Sequence, residues 1–508
     1  MVPQCDTRPM STALSTWPRR VGVAIAILVL SVAVAATWTY HAQQAAPQPL
    51  SVEEGMKRLI VLPLLVVVAV LALWAGIRKS GGEKAALAMT GAAASVAMAA
   101  PAPNQPFRAQ VVGLAWLNPL ERRDYPTEWQ LLWTMGLVGP NEHDDMVKED
   151  PKSFTTVQPV AGVAYGNDGR ETFDGFYEKY VDKLLSLFAE IYVMSPAYFY
   201  NVHSKDRKGW RELAGTHIEF AIPEKRLDPE ESRKYLVDQF VDYYEIGNKS
   251  APSLWNSDTP PDVHITPGGP NAGFTSLNRA LEYLQAHPDK SVWVMNWDAP
   301  SFPPKDNQMN ENMVLLVLTG PDFATGREPL AWIGRAAVGN VNDFEKKSGT
   351  TRAVQAWKST IEQAAHNAGV ATADLHYVVH DAGKGSDAAS ARLGTLSQTL
   401  TEVLPEYDYK KQTFNTPALL GEMGAGSALT DVALAIGRAN HIGGNTLVAG
   451  TTDLEHPTAV VVVPPAKLNP VDPKKPWFRA AGEGSAYLPW WGKRHDVDYS
   501  RSGQGYSF

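Results

Sequence analysis

VVHDAGKGSDAASARLGTL, residues 378–396, is the stretch on which the reading of this chain turns. The run LHYVVH (375–380) has the apolar, β-branched character of a buried strand and ends on His380. A loop of glycines and small polar residues follows, and then a helical pattern. A strand that delivers a histidine into a glycine-rich turn has the form of an active-site mouth, yet such a turn needs only backbone freedom. AGKGS (382–386) is not a phosphate loop, because Val378 and Gly385 stand where that motif requires glycine and Ser or Thr.

Working outward, SVWVMNW (291–297), NMVLLVLTG (312–320), NTLVAG (445–450) and TAVVVVPP (458–465) also read as buried strands. Between them, TSLNRALEYLQAHP places Leu277, Ala280, Leu281 and Leu284 on one helical face. TRAVQAWKSTIEQAAHNAG is a second helix, with Gly369 at its end. Strands alternating with helices predict a layered α/β body of mixed sheets covered by helices. The last two runs are joined by a short polar connection and predict an antiparallel hairpin.

The amino-terminal end has a different character. VGVAIAILVLSVAVAATWTY (21–40) is uncharged and ends in aromatic residues, and LIVLPLLVVVAVLALWAGI (59–77) is a second apolar run. A cleaved signal peptide is the alternative for the first run. Arg8, Arg19 and Arg20 precede the pair and Arg78, Lys79 and Lys84 follow it, against Lys57 and Arg58 in the connecting loop. A transmembrane hairpin with both ends in the cytoplasm is expected from that distribution. AALAMTGAAASVAMAA (85–100) is weakly apolar and reads as a linker or interfacial helix; if it spanned, the body would lie on the other side.

The expected organisation is an amino-terminal segment (1–20), the hairpin (21–84), a linker (85–106), two halves of the body (107–330 and 331–465) and a Pro- and aromatic-rich tail (466–508). Forty-six basic residues against 54 acidic ones, a net charge of −8, argue against binding nucleic acid by phosphate neutralisation. The single cysteine, Cys5, precedes every foldable segment, so the body has no disulfide and no thiolate nucleophile. His143, Asp144 and Asp145 in NEHDDMVKED (141–150) read as a solvated face, and neither a metal nor a cofactor is expected. No G-x-S-x-G elbow occurs.

Three segments in order resemble the thiolase and ketoacyl-synthase superfamily. GGPNAGFTSLNRALEYLQ followed by SVWVMNWDAP resembles the nucleophile segment, with Gly273 and Phe274 at about the position of the family's cysteine. VVHDAGKGSDAASARLGTL resembles the loop of the first catalytic histidine, with His380 on that histidine and Asp387 near the loop aspartate. NTPALLGEMGAGSALTDVALAI resembles the glycine-histidine segment, with Gly421 on the glycine and Glu422 in place of the second histidine. The resemblance implies a thiolase-like body without the thiolase reaction, in which Gly273, Phe274, His380, Asp381 and Glu422 line a vestigial pocket.

The anchored architecture, the segment FRAQVVGLAWLNPLERRDYPTEWQLLWTMGL (107–137) and the degenerate carboxyl half together resemble the bacterial type VI secretion lipase-effector adaptor family. That resemblance implies a non-catalytic protein of the inner membrane with a large cytoplasmic domain. It would hold a lipase effector and present it to the secretion spike, with homodimerisation left open. Trp477, Trp490 and Trp491 in the tail are candidate partner contacts. The competing expectation is an acyl-binding or acyl-transfer enzyme using His380, Glu422 and the hydroxyl of Thr275 or Ser276.

Overall fold

In the computed structural model, the described residues are 106–117, 132–133, 135–139, 172–194, 214–244, 246–247, 249, 257–300, 311–325 and 328–470. The expected hairpin and 141–150 cluster lie outside them, as do the linker up to residue 105 and the tail from residue 471, and among the described residues no helix is long and apolar enough to cross a membrane.

Strands β1 (Arg108–Leu117), β2 (His217–Pro223), β3 (Asp262–Gly268), β4 (Ser291–Asp298) and β5 (Asn312–Thr319) are followed by β6 (Ala331–Gly334), β7 (Ala337–Val338), β8 (Leu375–His380), β9 (Thr413–Asn415), β10 (Asn445–Gly450) and β11 (Thr458–Val463). They form one hydrogen-bonded sheet in the order β3-β2-β4-β5-β1-β6-β11-β10-β8-β9, with β7 beside β11. The helices are α1 (Phe173–Met194), α2 (Pro229–Tyr243), α3 (Ala272–Ala286), α4 (Arg352–Asn367), α5 (Asp387–Val403), α6 (Thr416–Leu420) and α7 (Ser427–His441). The expected layered α/β architecture with mixed pairing is what forms, and the two halves of the body share one continuous sheet. Antiparallel pairing of Arg108–Val111 in β1 with Ala331–Gly334 in β6 joins them.

The pairing repeats along the chain. β2 lies parallel to β3 and β4, β4 is antiparallel to β5, and β5 is antiparallel to β1. β8 likewise lies parallel to β9 and β10, β10 is antiparallel to β11, and β11 is antiparallel to β6. α3 and α7 occupy equivalent connections in this repeat, and they pack against each other.

That placement explains their composition. Every residue of α7 is buried, as expected of a helix covered on all sides, and its face touches α3, β5, β8, β10 and β11. Leu277, Ala280, Leu281 and Leu284 of α3 are fully buried. By contrast α4 is amphipathic and lays Trp357, Ile361 and Ala364 against Val461 and its neighbours from one side only. Its amino end is capped by Thr351, whose hydroxyl accepts from Val354 N at 3.1 Å. Its carboxyl end closes one residue beyond Ala368, where Gly369 takes φ +64° and Val370 N donates to Ala365 O.

Candidate functional site

The parallel strands β8 and β10 run side by side, with Ala449 opposite His380, so their carboxyl ends deliver His380, Asp381 and Thr451 to one edge. His380 is fully buried. Ala382 N donates to its Nδ1 at 3.2 Å, which leaves the proton on Nε2, 3.3 Å from the Tyr409 hydroxyl. Burial pushes the imidazole pKa down to about 3, so it is neutral at physiological pH.

Asp381 is equally enclosed. Its Oδ1 accepts from the backbone N–H of Thr451 at 2.6 Å and from the Thr451 hydroxyl at 2.8 Å, and Oδ2 lies 3.4 Å from the Thr452 hydroxyl. Burial still holds its carboxyl above the ordinary aspartate value, against the pull of the Thr451 donors and of Arg392. Asp431, on the buried α7, is raised further, by burial first and then by the charge of Asp381. Two carboxyls so placed cannot both ionise cheaply, and the Asp431 Oδ1 has no hydrogen-bond partner. Glu422 completes the cluster: burial raises it, Arg392 lowers it and Asp381 raises it. The loop glycine Gly383 sits against this group, since a Cβ there would lie 3.1 Å from Glu422 Oε1.

Gly273 and Phe274 lie in the first turn of α3, facing this edge through β10. A Cβ on Gly450, at the end of β10, would stand 2.8 Å from Phe274 Cε2. At Gly273 a Cβ would stand 2.9 Å from Ala428 Cβ and 3.2 Å from Leu429 Cγ at the start of α7. A side chain at Gly273 would therefore require the start of α7 to shift, whereas the next position carries the buried ring of Phe274. α7 is fixed there by β4 and β5: Asp298 Oδ2 accepts from Ala425 N at 3.0 Å, and Asn312 Nδ2 donates to Gly426 O at 2.7 Å. Arg226 pairs with Asp298 at 2.9 Å, although burial still lifts the Asp298 carboxyl to about 7.

An open cleft of about 340 Å³ lies at the amino end of α3, lined by Thr266, Gly268, Asn271, Thr275, Thr452 and Asp453. Thr452 connects it to Asp381. Of the two hydroxyls considered as replacement nucleophiles, Thr275 faces the cleft, whereas Ser276 is fully buried with no hydrogen-bond partner. The hydrogen bonds of both His380 ring nitrogens run to Ala382 and Tyr409 rather than to either hydroxyl.

Part of this site falls in a segment that matches a family model. The family model described as Type VI lipase adapter protein Tla3, C-terminal, matches residues 331–464. The Tla3 match runs from β6 through β11 and so contains His380, Asp381, Arg392, Glu422 and Asp431, while Gly273 and Phe274 lie before it. No curated protein sequence matches the chain. Similar solved structures include the oxazolomycin ketosynthase domain OzmH KS8 of Streptomyces albus JA3453, 14% identical, covering 73% of this chain and 99% of that one with a TM-score of 0.44. The ketosynthase from module 1 of the bacillaene synthase of Bacillus amyloliquefaciens FZB42 is 11% identical, over 72% and 74% of the chains, with a TM-score of 0.46. The β-ketoacyl-[acyl carrier protein] synthase III of Thermus thermophilus is 11% identical, over 70% and 98%, with a TM-score of 0.38.

Sequence reasoning singled out His380, Asp381 and Glu422 from a strand end and a loop. It missed Asp431 and Arg392, which sit in helical segments whose burial depends on long-range packing. It also missed a cluster of His217, Asp262 and His264, in which His217 stands 45 residues before Asp262 in the sequence.

Proposed function

We propose that this chain is a membrane-anchored, non-catalytic adaptor that binds a type VI lipase effector and presents it to the secretion machinery. The observation that carries this reading is the Tla3 match over residues 331–464. The steric closure at Gly273 and the neutral, enclosed His380 support a body that keeps a pocket without a reaction. In this reading Gly273, Phe274, His380, Asp381 and Glu422 are a relic pocket whose buried carboxyls serve the fold. Anchoring in the inner membrane rests on the two apolar runs at 21–40 and 59–77 and their flanking basic residues, which put the body in the cytoplasm. Trp477, Trp490 and Trp491 are proposed contacts for the effector or the spike, as the large aromatic residues that anchor interfaces.

The test is co-expression of the full chain with a type VI lipase effector and affinity purification through a tag on the chain in detergent. Co-elution of the lipase, weakened by substitution of the three tryptophans with alanine, is expected. A chain that retains no lipase while turning over an acyl thioester would overturn the reading.

A further inference from the structure

We propose that His217 Nδ1, Asp262 Oδ2 and His264 Nε2 form a binding site for one divalent transition-metal ion of zinc-like ligand preference. The site lies at the opposite end of β3 from the cleft, at the edge of the sheet, and it is independent of the adaptor reading.

The juxtaposition follows from strand register. β2 and β3 pair in parallel with His217 opposite Asp262 and Glu219 opposite His264. Residues two apart on a strand share a face, so all four side chains project to one side. Asp262 Oδ2 lies 3.0 Å from His217 Nδ1 and 3.0 Å from His264 Nε2, and one ligand atom from each of the three residues lies within 4.8 Å of the others. An ion about 2.1 Å from each atom would see each imidazole–carboxylate pair at about 90°, and opening those gaps to about 3.4 Å gives the tetrahedral angle. Two imidazoles and one carboxylate are the donor set suited to zinc and its first-row neighbours.

Two further features have the form of a built site. The second nitrogen of His217, Nε2, lies 2.9 Å from the buried Glu219 Oε1, the carboxylate–histidine arrangement that orients a metal-bound imidazole. The ring of His217 is also held flat against Tyr283 of α3, with centroids 4.0 Å apart and 6° between planes. The His217 side chain is 9% exposed, whereas those of His264 and Asp262 are 48% and 61% exposed. One ligand is thus preorganised in the body and two reach it from solvent, so an ion would keep a coordination position open to water or to a partner's side chain.

The experiment uses the full chain in detergent, stripped with a chelator, reloaded with zinc chloride, freed of excess metal and analysed for zinc per chain. Wild type is expected to retain about one zinc more than His264→Ala or Asp262→Asn, with circular dichroism unchanged in the exposed His264→Ala variant. Glu219→Gln should keep the stoichiometry and weaken zinc binding about 10- to 100-fold in competition with a chromophoric chelator. Equal zinc in wild type and His264→Ala, or none in wild type, would show that the four side chains are a hydrogen-bonded network only and would overturn the proposal.

Discussion

Asp381 accepts both the backbone N–H and the side-chain hydroxyl of Thr451 through a single oxygen, so the carboxyl ends of β8 and β10 are tied at one buried carboxylate. The same residue bears on Asp431 and Glu422 electrostatically and so links α7 and the preceding loop to the strand ends. Thr451→Val removes the hydroxyl and keeps the amide. Because it leaves a buried carboxyl short of one donor, a loss of about 1–3 kcal/mol is expected by urea denaturation. An unchanged midpoint would show that the hydroxyl adds nothing to the tie.

His380 gives the stability a pH dependence. The folded chain protonates it near pH 3, whereas the unfolded chain does so near its ordinary value of 6.5. Between those limits the unfolded state binds more protons, and the contribution of neutral His380 is lost as pH falls. Asp298 acts in the opposite direction between its ordinary 3.8 and about 7, because the folded state holds the proton there. The comparison that isolates His380 is the difference between wild type and His380→Gln. That difference is expected to shrink by a few kcal/mol from pH 7 to pH 4. A pH-independent difference would contradict the neutral, enclosed imidazole.

Gly273→Ala tests the closure between α3 and α7. Alanine in a helix is intrinsically favoured over glycine by about 1 kcal/mol. Here its methyl would stand 2.9 Å from Ala428 Cβ, so the start of α7 has to move. Net destabilisation of about 1–3 kcal/mol is expected in thermal or urea unfolding, typical of an overpacked core. Stabilisation instead would mean that this junction has room for a side chain, and with it for a nucleophile.

Arg226→Met tests the ion pair that holds Asp298. The partner carboxyl is buried and also receives Ala425 N, which fixes the approach to α7. Removing the guanidinium leaves that carboxyl without its counter-charge, and a loss of about 3–5 kcal/mol above pH 7 is expected, smaller at pH 5 where Asp298 carries its proton. Equal losses at both pH values would argue against an ionised pair.

Most strands legible in the sequence were covered on both faces, although β1, equally buried, was not read as one. Ser291–Asp298, Asn312–Thr319 and Thr458–Val463 are almost wholly buried and read as unbroken apolar runs. β2 was not legible because His217 and Glu219 interrupt its apolar pattern, and β3 because alternate exposed positions and Pro267 mark an edge strand. β9, three residues long, is defined only by its pairing with β8. The same distinction governs the site. His380 could be read because it ends a strand before glycines, whereas Asp431 looks like any polar residue of an amphipathic helix until α7 is enclosed on every side.

In the proposed adaptor function the chain binds a type VI lipase effector and does no chemistry of its own. The most direct measurement is size-exclusion chromatography with light scattering on the purified full chain mixed with the purified lipase effector, with an acyl-thioester assay on the same fractions. A stable complex and no turnover are expected, in wild type and in His380→Ala alike. Separate elution of the two proteins, with thioester turnover that disappears in His380→Ala, would contradict that function.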